Sequence, residues 1–313
     1  MDYNNFISTS TGSKLVLKDA SLESKNGEKI QIIDKIPRFT QDDGYTSAFG
    51  RQWKLYSKVQ LDSQNRTSIS EDRVSVALGK SLDSIRGLKI IEAGSGAGRF
   101  TEILLKYGAK VYSFDLSEAV EANLKNNSGN PNLTIFQADI EKIPFEDNFF
   151  DISLCLGVMQ HTRDTEVSLS ELTRVTKKNG MILFDHYQKH IGQYLSLYLL
   201  YWFIIKNMPA SVQHKITTSL TKAFFPIHWF FRKNRLMQFI LRRISPISFY
   251  YGIFDLTKDQ HFEVSLLDTH DKNTDHFKRM VTKKQLCKII KKFNFKSFKI
   301  FKGGTGLQCI IYK

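Results

Sequence analysis

Residues 88–100 read LKIIEAGSGAGRF, and this stretch constrains the chain more than any other. An apolar run from Leu88 to Ile91 meets an acid, Glu92. Glycines follow at 94, 96 and 98, and then a helical pattern, FTEILLKYG. The order is strand, glycine turn, helix. A second apolar run, AKVYSFD, closes on Asp115. Such a unit holds a nucleoside-bearing cofactor at the strand tip. A carboxylate ending the second strand can accept both ribose hydroxyls. Asp115 also precedes LSEA and could cap a helix there, but its spacing from the glycine turn favours the ribose role.

The details separate two classes of cofactor. A dinucleotide fingerprint, G-x-G-x-x-G, needs a glycine at 99, where its helix end approaches a pyrophosphate. Arg99 stands there instead, and no P-loop lysine is nearby. A turn without a phosphate clamp suits a cofactor without phosphates, such as S-adenosylmethionine (SAM), an adenosine joined to an amino acid through a sulfonium.

The three cysteines, Cys155, Cys287 and Cys309, are scattered and odd in number, which points to a reducing compartment rather than a disulfide framework. The N-terminus, MDYNNFISTST, lacks the basic start and apolar core of a secretory leader. The longest apolar run, YLSLYLLYWFII at 194–205, is short of the roughly 20 residues a spanning helix needs. A cytoplasmic protein is expected, with contact at the inner face of the membrane as an option. The net charge of +14 would suit nucleic acid. Its distribution argues otherwise: between Asp185 and Asp255 there is no acidic residue, while nine lysines and arginines are interleaved with many aromatics. Basic and aromatic together suit an anionic membrane surface or an anionic amphiphile. No nucleic-acid-binding motif accompanies the charge, so no nucleic-acid partner is expected.

Alternating segments KLVLKD and EKIQIID, with the turn signal KNGE, predict a small N-terminal β-hairpin. Ser68 and Glu71 suggest a capping box for a helix near 69–82. Strands are predicted at 88–92, 110–114, 133–137, 150–155 and 180–185, with helices near 98–107, 117–126 and 164–176. This alternation means a parallel sheet. Residues 190–250 read as mostly helical. A helix at 282–292, capped by Thr282, precedes strands near 296–302 and 307–312 joined by GGTG, a terminal antiparallel hairpin.

Further stretches define a resemblance. TIFQADIEKIPFEDNFFDISLCLGVMQHT, residues 134–162, places Asp139 after the third strand and LGVMQHT after the fourth. With EAGSGAGRF and Asp115, these stretches resemble the class I SAM-dependent methyltransferases in order and spacing over residues 85–185. The resemblance implies an α/β Rossmann-like fold: a mostly parallel seven-stranded sheet with an antiparallel C-terminal hairpin, here with an N-terminal hairpin and a helical insertion. It implies SAM as cofactor. It assigns to the cofactor Glu92, Ala93, Gly94, Gly96 and Arg99 of the glycine turn, Asp115 and Leu116 after the second strand, Asp139 facing the adenine amino group, Ile140 packing on the ring, and Leu156. IPRF at 36–39, YTSAFGRQW at 45–53, KVQLD at 58–62 and GGTGLQ resemble bacterial methyltransferases often encoded among surface-polysaccharide or secondary-metabolite genes. Relatives often start with a cysteine-paired zinc piece. This chain has no cysteine before Cys155, so no metal is expected. The implied organisation is an N-terminal extension at 1–66, a SAM-binding core at 67–189, a basic aromatic insertion at 190–255 acting as substrate lid or membrane contact, and completion of the sheet at 256–313.

Methyl transfer from a sulfonium is an in-line displacement, in which the enzyme mainly aligns nucleophile and methyl. A base helps where the nucleophile carries a proton. His161 could be that base, against the commoner role of a structural histidine. His186, Tyr187 and His190 follow the fifth strand, where substrate enters the resembling fold. Tyr45, Phe49 and Trp53 could lid the cofactor but fit a core at their helical spacing. Gln60 and Asp62 are cofactor or substrate contacts by resemblance alone. The acceptor expected is a small or amphiphilic metabolite of envelope glycan or specialised metabolism, methylated on oxygen. Alternatives are a quinone- or lipid-type acceptor at the membrane surface, and SAM binding without turnover.

Overall fold

The computed structural model describes residues 2–40, 50, 53, 56–190, 196–252, 256–275 and 277–313. They gather into two compact units, one of residues 1–57, 70–188 and 279–313, the other of residues 58–69 and 189–278.

The first unit is built on seven strands. They are β5 (Lys89–Ala93), β6 (Lys110–Asp115), β7 (Leu133–Gln137), β8 (Phe150–Cys155), β9 (Thr176–His186), β10 (Ser297–Gly303) and β11 (Gly306–Tyr312). Their order is β10-β11-β9-β8-β5-β6-β7, with β5 to β9 parallel and β11 and β10 antiparallel. This is the Rossmann-like sheet with a terminal hairpin that the sequence implies. Successive residues of a strand face opposite sides. Ile91 and Phe114 therefore enter one apolar cluster, and Ile90 and Val111 the other. Both faces are covered, which is why the parallel strands read as continuous apolar runs.

α2 (Ile69–Leu78) precedes β5, and between the strands lie α3 (Arg99–Lys106), α4 (Ala119–Asn127), α5 (Thr165–Val175) and α10 (Lys283–Ile290). The Asp164 side chain caps α5, and Thr282 and Gln285 form a reciprocal capping box on α10. The chain runs from β5 outward to β7, then returns to β8 on the other side of β5. The carboxyl ends of β5 and β8 thus flank a topological switch point, where ligands of such sheets bind.

The N-terminal region holds four short antiparallel strands, β1 (Leu15–Lys18), β2 (Ser21–Ser24), β3 (Lys29–Ile33) and β4 (Ile36–Pro37). The segments KLVLKD and EKIQIID are β1 and β3; between them SLES adds β2, so KNGE turns β2 into β3. Phe6 anchors this sheet to the core, 5.2 Å from Phe136 and 4.9 Å from Phe145. Arg38 bridges to Gln137 on the outer strand β7, which covers an edge that would otherwise stand open.

The second unit is helical: α1 (Asp62–Asn65), α6 (Tyr198–Ile205), α7 (Ala210–Phe230), α8 (Arg235–Ile244) and α9 (Lys258–Thr274). Phe225, Ile247 and Phe249 form its small core, with Trp229, Tyr251 and Phe262 packed against them. Residues 256–278, assigned from sequence to the completion of the sheet, instead carry α9 into this unit. Among the described residues no helix is long and apolar enough to cross a membrane.

Candidate functional site

The glycine turn sits at the switch point, and its backbone is tied on three sides. The amides of Gly94 and Ser95 donate to the Phe114 carbonyl at 2.8 and 2.9 Å, holding the turn to the tip of β6. The Gly96 amide donates to Asp115 Oδ2 at 3.0 Å. Asp115 Oδ1 accepts from the Ser117 amide and hydroxyl at 2.9 and 2.7 Å. The acid that ends the second strand is therefore fixed from both sides.

Each glycine of the turn lacks a side chain for a different reason. Gly94 has φ of 72°, and a Cβ there would collide with Val158, which follows β8. Gly98 has φ of 89°, and its Cβ would strike the Asn123 and Asn127 amides. At Gly96 a Cβ would press on the Trp53 indole at 3.0 Å, so Trp53 lies at the turn itself rather than in a remote core. Tyr45 and Phe49 lie outside the described residues.

Three asparagines of α4 complete the support. They stand at i, i+3 and i+4, so all lie on one face. Asn126 donates to the Ala97 carbonyl at 2.9 Å and Asn127 to the Gly98 carbonyl at 3.1 Å. Asn123 donates to Thr101 and Ser113 at 3.0 and 2.9 Å. The spacing was visible in ANLKNN, but nothing in the sequence says which helix face meets a loop.

Thr101 and Ser113 in turn donate to Glu92 Oε2. Glu92 is buried, and burial pushes its carboxyl up to about 7 against the pull of these hydroxyls. Its other oxygen, Oε1, is buried without a partner among the described residues, as is Ser95 Oγ. A buried acceptor left unmade is costly, so these atoms mark a place that a ligand's donors would fill.

The other proposed cofactor contacts fall as follows. Ala93 ends β5, and Arg99 opens α3 with its guanidinium 4.5 Å from the Phe100 ring. The Leu116 carbonyl accepts from Gln137, which itself accepts from Arg38 of IPRF at 2.9 Å. Asp139 accepts from the Glu141 amide and from Arg163 Nη1, each at 2.9 Å. Ile140 and Leu156 are buried apolar residues.

His161 ends a short helical turn, Met159–His161, its ring edge-on to Tyr187 at 5.5 Å. Tyr187 is half-buried, and its carbonyl receives the Val281 amide. His186, offered from the sequence as a substrate contact, ends β9. It is fully enclosed, with Nε2 3.3 Å from the Thr165 hydroxyl, and burial lowers its pKa to about 4. His190 is exposed and belongs to the second unit, as do Gln60 and Asp62. Asp62 is buried and accepts from Thr67 within that unit.

Sequence reasoning missed Asp185. It is fully buried at the end of β9, pairs with Arg73 of α2, and accepts from the amides of Gly157 at 2.6 Å and Thr305 at 3.2 Å. It thus joins the loop after β8 to the GGTG turn of the terminal hairpin. A Cβ at Gly304 would collide with it.

A glycine turn at a switch point, with a bound acid at the next strand tip, defines an α/β nucleoside-cofactor site. Residues 91–184 match the methyltransferase domain family. That match takes in the glycine turn, β6 to β8 and most of β9. The chain is 31% identical over 133 residues to the malonyl-[acyl-carrier protein] O-methyltransferase of Buchnera aphidicola, covering 42% of this chain and 52% of that protein. It is 28% identical over 114 residues to the ubiquinone biosynthesis O-methyltransferase of Coxiella burnetii, covering 36% and 49%. It is 32% identical over 124 residues to the demethylmenaquinone methyltransferase of Streptomyces avermitilis, covering 38% and 52%. The chain therefore spans about half the length of the curated relatives it matches. Among solved structures, a SAM-dependent methyltransferase of Aquifex aeolicus aligns with a TM-score of 0.45 at 14% identity, over 84% of this chain and 97% of that one.

Proposed function

We propose that this protein transfers a methyl group from SAM to an oxygen atom of a small or amphiphilic acceptor. The observation that carries the reading is the buried Oε1 of Glu92, unpartnered among the described residues, next to a glycine turn tied to Asp115. These residues fit the cofactor's chemistry: Glu92 and Ser95 would take donors of its amino-acid end, Asp115 its ribose hydroxyls, Asp139 its adenine amine, and Ile140 and Leu156 its apolar surfaces. When bound, SAM supplies an electrophilic methyl on a sulfonium, and the departing thioether needs no proton. The residues around it position the reactants and exclude water. The buried carboxylate of Glu92 orients a cation without competition from solvent.

Calorimetry tests the reading. SAM and S-adenosylhomocysteine should both bind, and Asp115→Ala should weaken each by about 10- to 100-fold, as expected for lost hydrogen bonds to a charged group. Unchanged affinity would remove Asp115 from the ribose. His161 is the candidate base for a hydroxyl acceptor, but its edge-on packing against Tyr187 suits a wall residue. We expect His161→Ala to keep methyl transfer within about tenfold; a loss of roughly 100-fold or more would make it the base.

A second reading, a quinone- or lipid-type acceptor methylated on carbon or oxygen, is favoured by the acid-free, aromatic composition of residues 186–254. The ubiquinone and demethylmenaquinone names of two relatives agree with it. A metabolite screen with labelled SAM separates the two. Product recovered in the water-soluble fraction supports envelope glycan or specialised metabolism, and product in the lipid extract supports the second reading.

A further inference from the structure

We propose that the face formed by α6 and α8 of the second unit docks on the surface of an anionic lipid bilayer. Helix α8 is inverted relative to an ordinary surface helix. Leu236, Phe239, Ile240 and Ile244 recur at helical spacing and are all exposed, at 68, 56, 41 and 46%. The side facing the unit's interior carries Gln238 and Leu241. Gln238 is accommodated only because His228 satisfies it twice: its Nε2 donates to the His228 carbonyl at 2.9 Å, and its Oε1 lies 3.1 Å from His228 Nδ1. An amphipathic helix normally buries its apolar stripe and exposes its polar one. Here a glutamine points in, and three leucine-class residues and a phenylalanine point out.

Helix α6 continues the same surface. The amide of Leu197, at its start, donates to the Arg243 carbonyl at 2.8 Å, and Ser196 Oγ to the same carbonyl at 3.1 Å. The start of α6 is thus fastened to the end of α8. Leu200, Phe203 and Ile204 of α6 are exposed at 56, 63 and 49%. Single exposed apolar residues are ordinary, but a contiguous patch on two tethered helices marks an interaction site.

The charge on these elements chooses the occupant. Arg235 and Arg242 on α8 are exposed, and Arg243 lies 4.1 Å over the Phe239 ring. Just after α6, Lys206 lies 3.8 Å over the Trp202 ring. No acidic residue occurs anywhere from His186 to Phe254. A protein partner's apolar patch would need no such uniform sign. An interface of apolar side chains, aromatics and cations stacked beside them suits the headgroup region of an anionic membrane, where stems enter the acyl boundary and charges meet phosphates.

Sedimentation with vesicles tests this on the full chain. With about 30 mol% phosphatidylglycerol in phosphatidylcholine, retention at about 0.1 M salt should exceed that on pure phosphatidylcholine by at least about tenfold. It should fall several-fold at about 1 M salt, where the screening length shrinks from about 10 to 3 Å. Leu236→Ser with Phe239→Ser should cut retention about tenfold. Arg235→Glu with Arg242→Glu should abolish the preference for the anionic vesicles. Circular dichroism and the thermal midpoint should stay at wild-type values, since all four side chains are exposed. Absence of retention on any vesicle would overturn the proposal. So would a wild-type dimer in light scattering that Leu236→Ser with Phe239→Ser dissolves, which would assign the face to a second copy. SAM calorimetry on the same samples keeps the two ideas apart, because vesicle docking and cofactor binding are read independently.

Discussion

Asp185→Asn is expected to lower the stability of the core by about 3 kcal/mol, read as a lower urea midpoint with an unchanged slope. The carboxylate accepts from two backbone amides and pairs with Arg73. All of its partners are donors. An amide there would turn an NH2 group toward another donor and would leave the Arg73 guanidinium, 20% exposed, without its counter-charge. Removing one partner of a buried pair costs more than the pair contributes, because a desolvated charge is left behind. The variant should also bind SAM more weakly, because Asp185 holds Gly157 and hence the loop carrying Leu156 and Val158. A midpoint within about 0.5 kcal/mol of wild type would mean that Asp185 is dispensable to the fold.

The second large effect concerns Glu92 and pH. Its carboxyl titrates near 7 in the folded protein, against an ordinary 4.5, because burial disfavours the charge. The folded state therefore holds a proton that the unfolded state has released between these values. The associated stability is fully present below about pH 4.5 and is lost as pH rises through 7, a difference of about 3 kcal/mol. Glu92→Gln should remove this part of the pH dependence of urea unfolding in the cofactor-free protein. Binding should run the other way. If the ionised Glu92 receives the cofactor's ammonium group, SAM affinity should rise about tenfold from pH 6 to 8, as the ionised fraction climbs through a pKa near 7. In Glu92→Gln it should be flat and weak. A wild-type affinity independent of pH over that range would remove Glu92 from the cofactor's charged end.

What could be read from the sequence and what could not divide along physical lines. The parallel strands were legible because burial on both faces makes them apolar runs, and the glycine turn was legible because its backbone excludes side chains. The strand SLES was not, since it is short and half polar. The start of β9 was hidden by KKNG, which reads as a turn: Asn179 adopts φ of 65° inside a strand that begins at Thr176. Asp185 went unseen because its partners Arg73 and Thr305 lie 112 and 120 residues away. His186 was judged by its place after a strand, whereas its enclosure depends on Thr165 of α5. The acid-free composition of the second unit was plain in the sequence. That α8 turns Gln238 inward and Leu236 outward needed the structure.

The three glycines of the turn carry a last consequence, for how such sequences drift. Each position left bare is occupied by a segment from elsewhere: Val158 at Gly94, Trp53 at Gly96, Asn123 and Asn127 at Gly98. None of these pairs is free to change alone. Relatives that carry alanine where this chain has Gly94 should carry a smaller residue where it has Val158. Loss of the two asparagines should accompany relaxation at Gly98. The turn is thus a record of covariation, three distant stretches of the chain written against three alternate glycines.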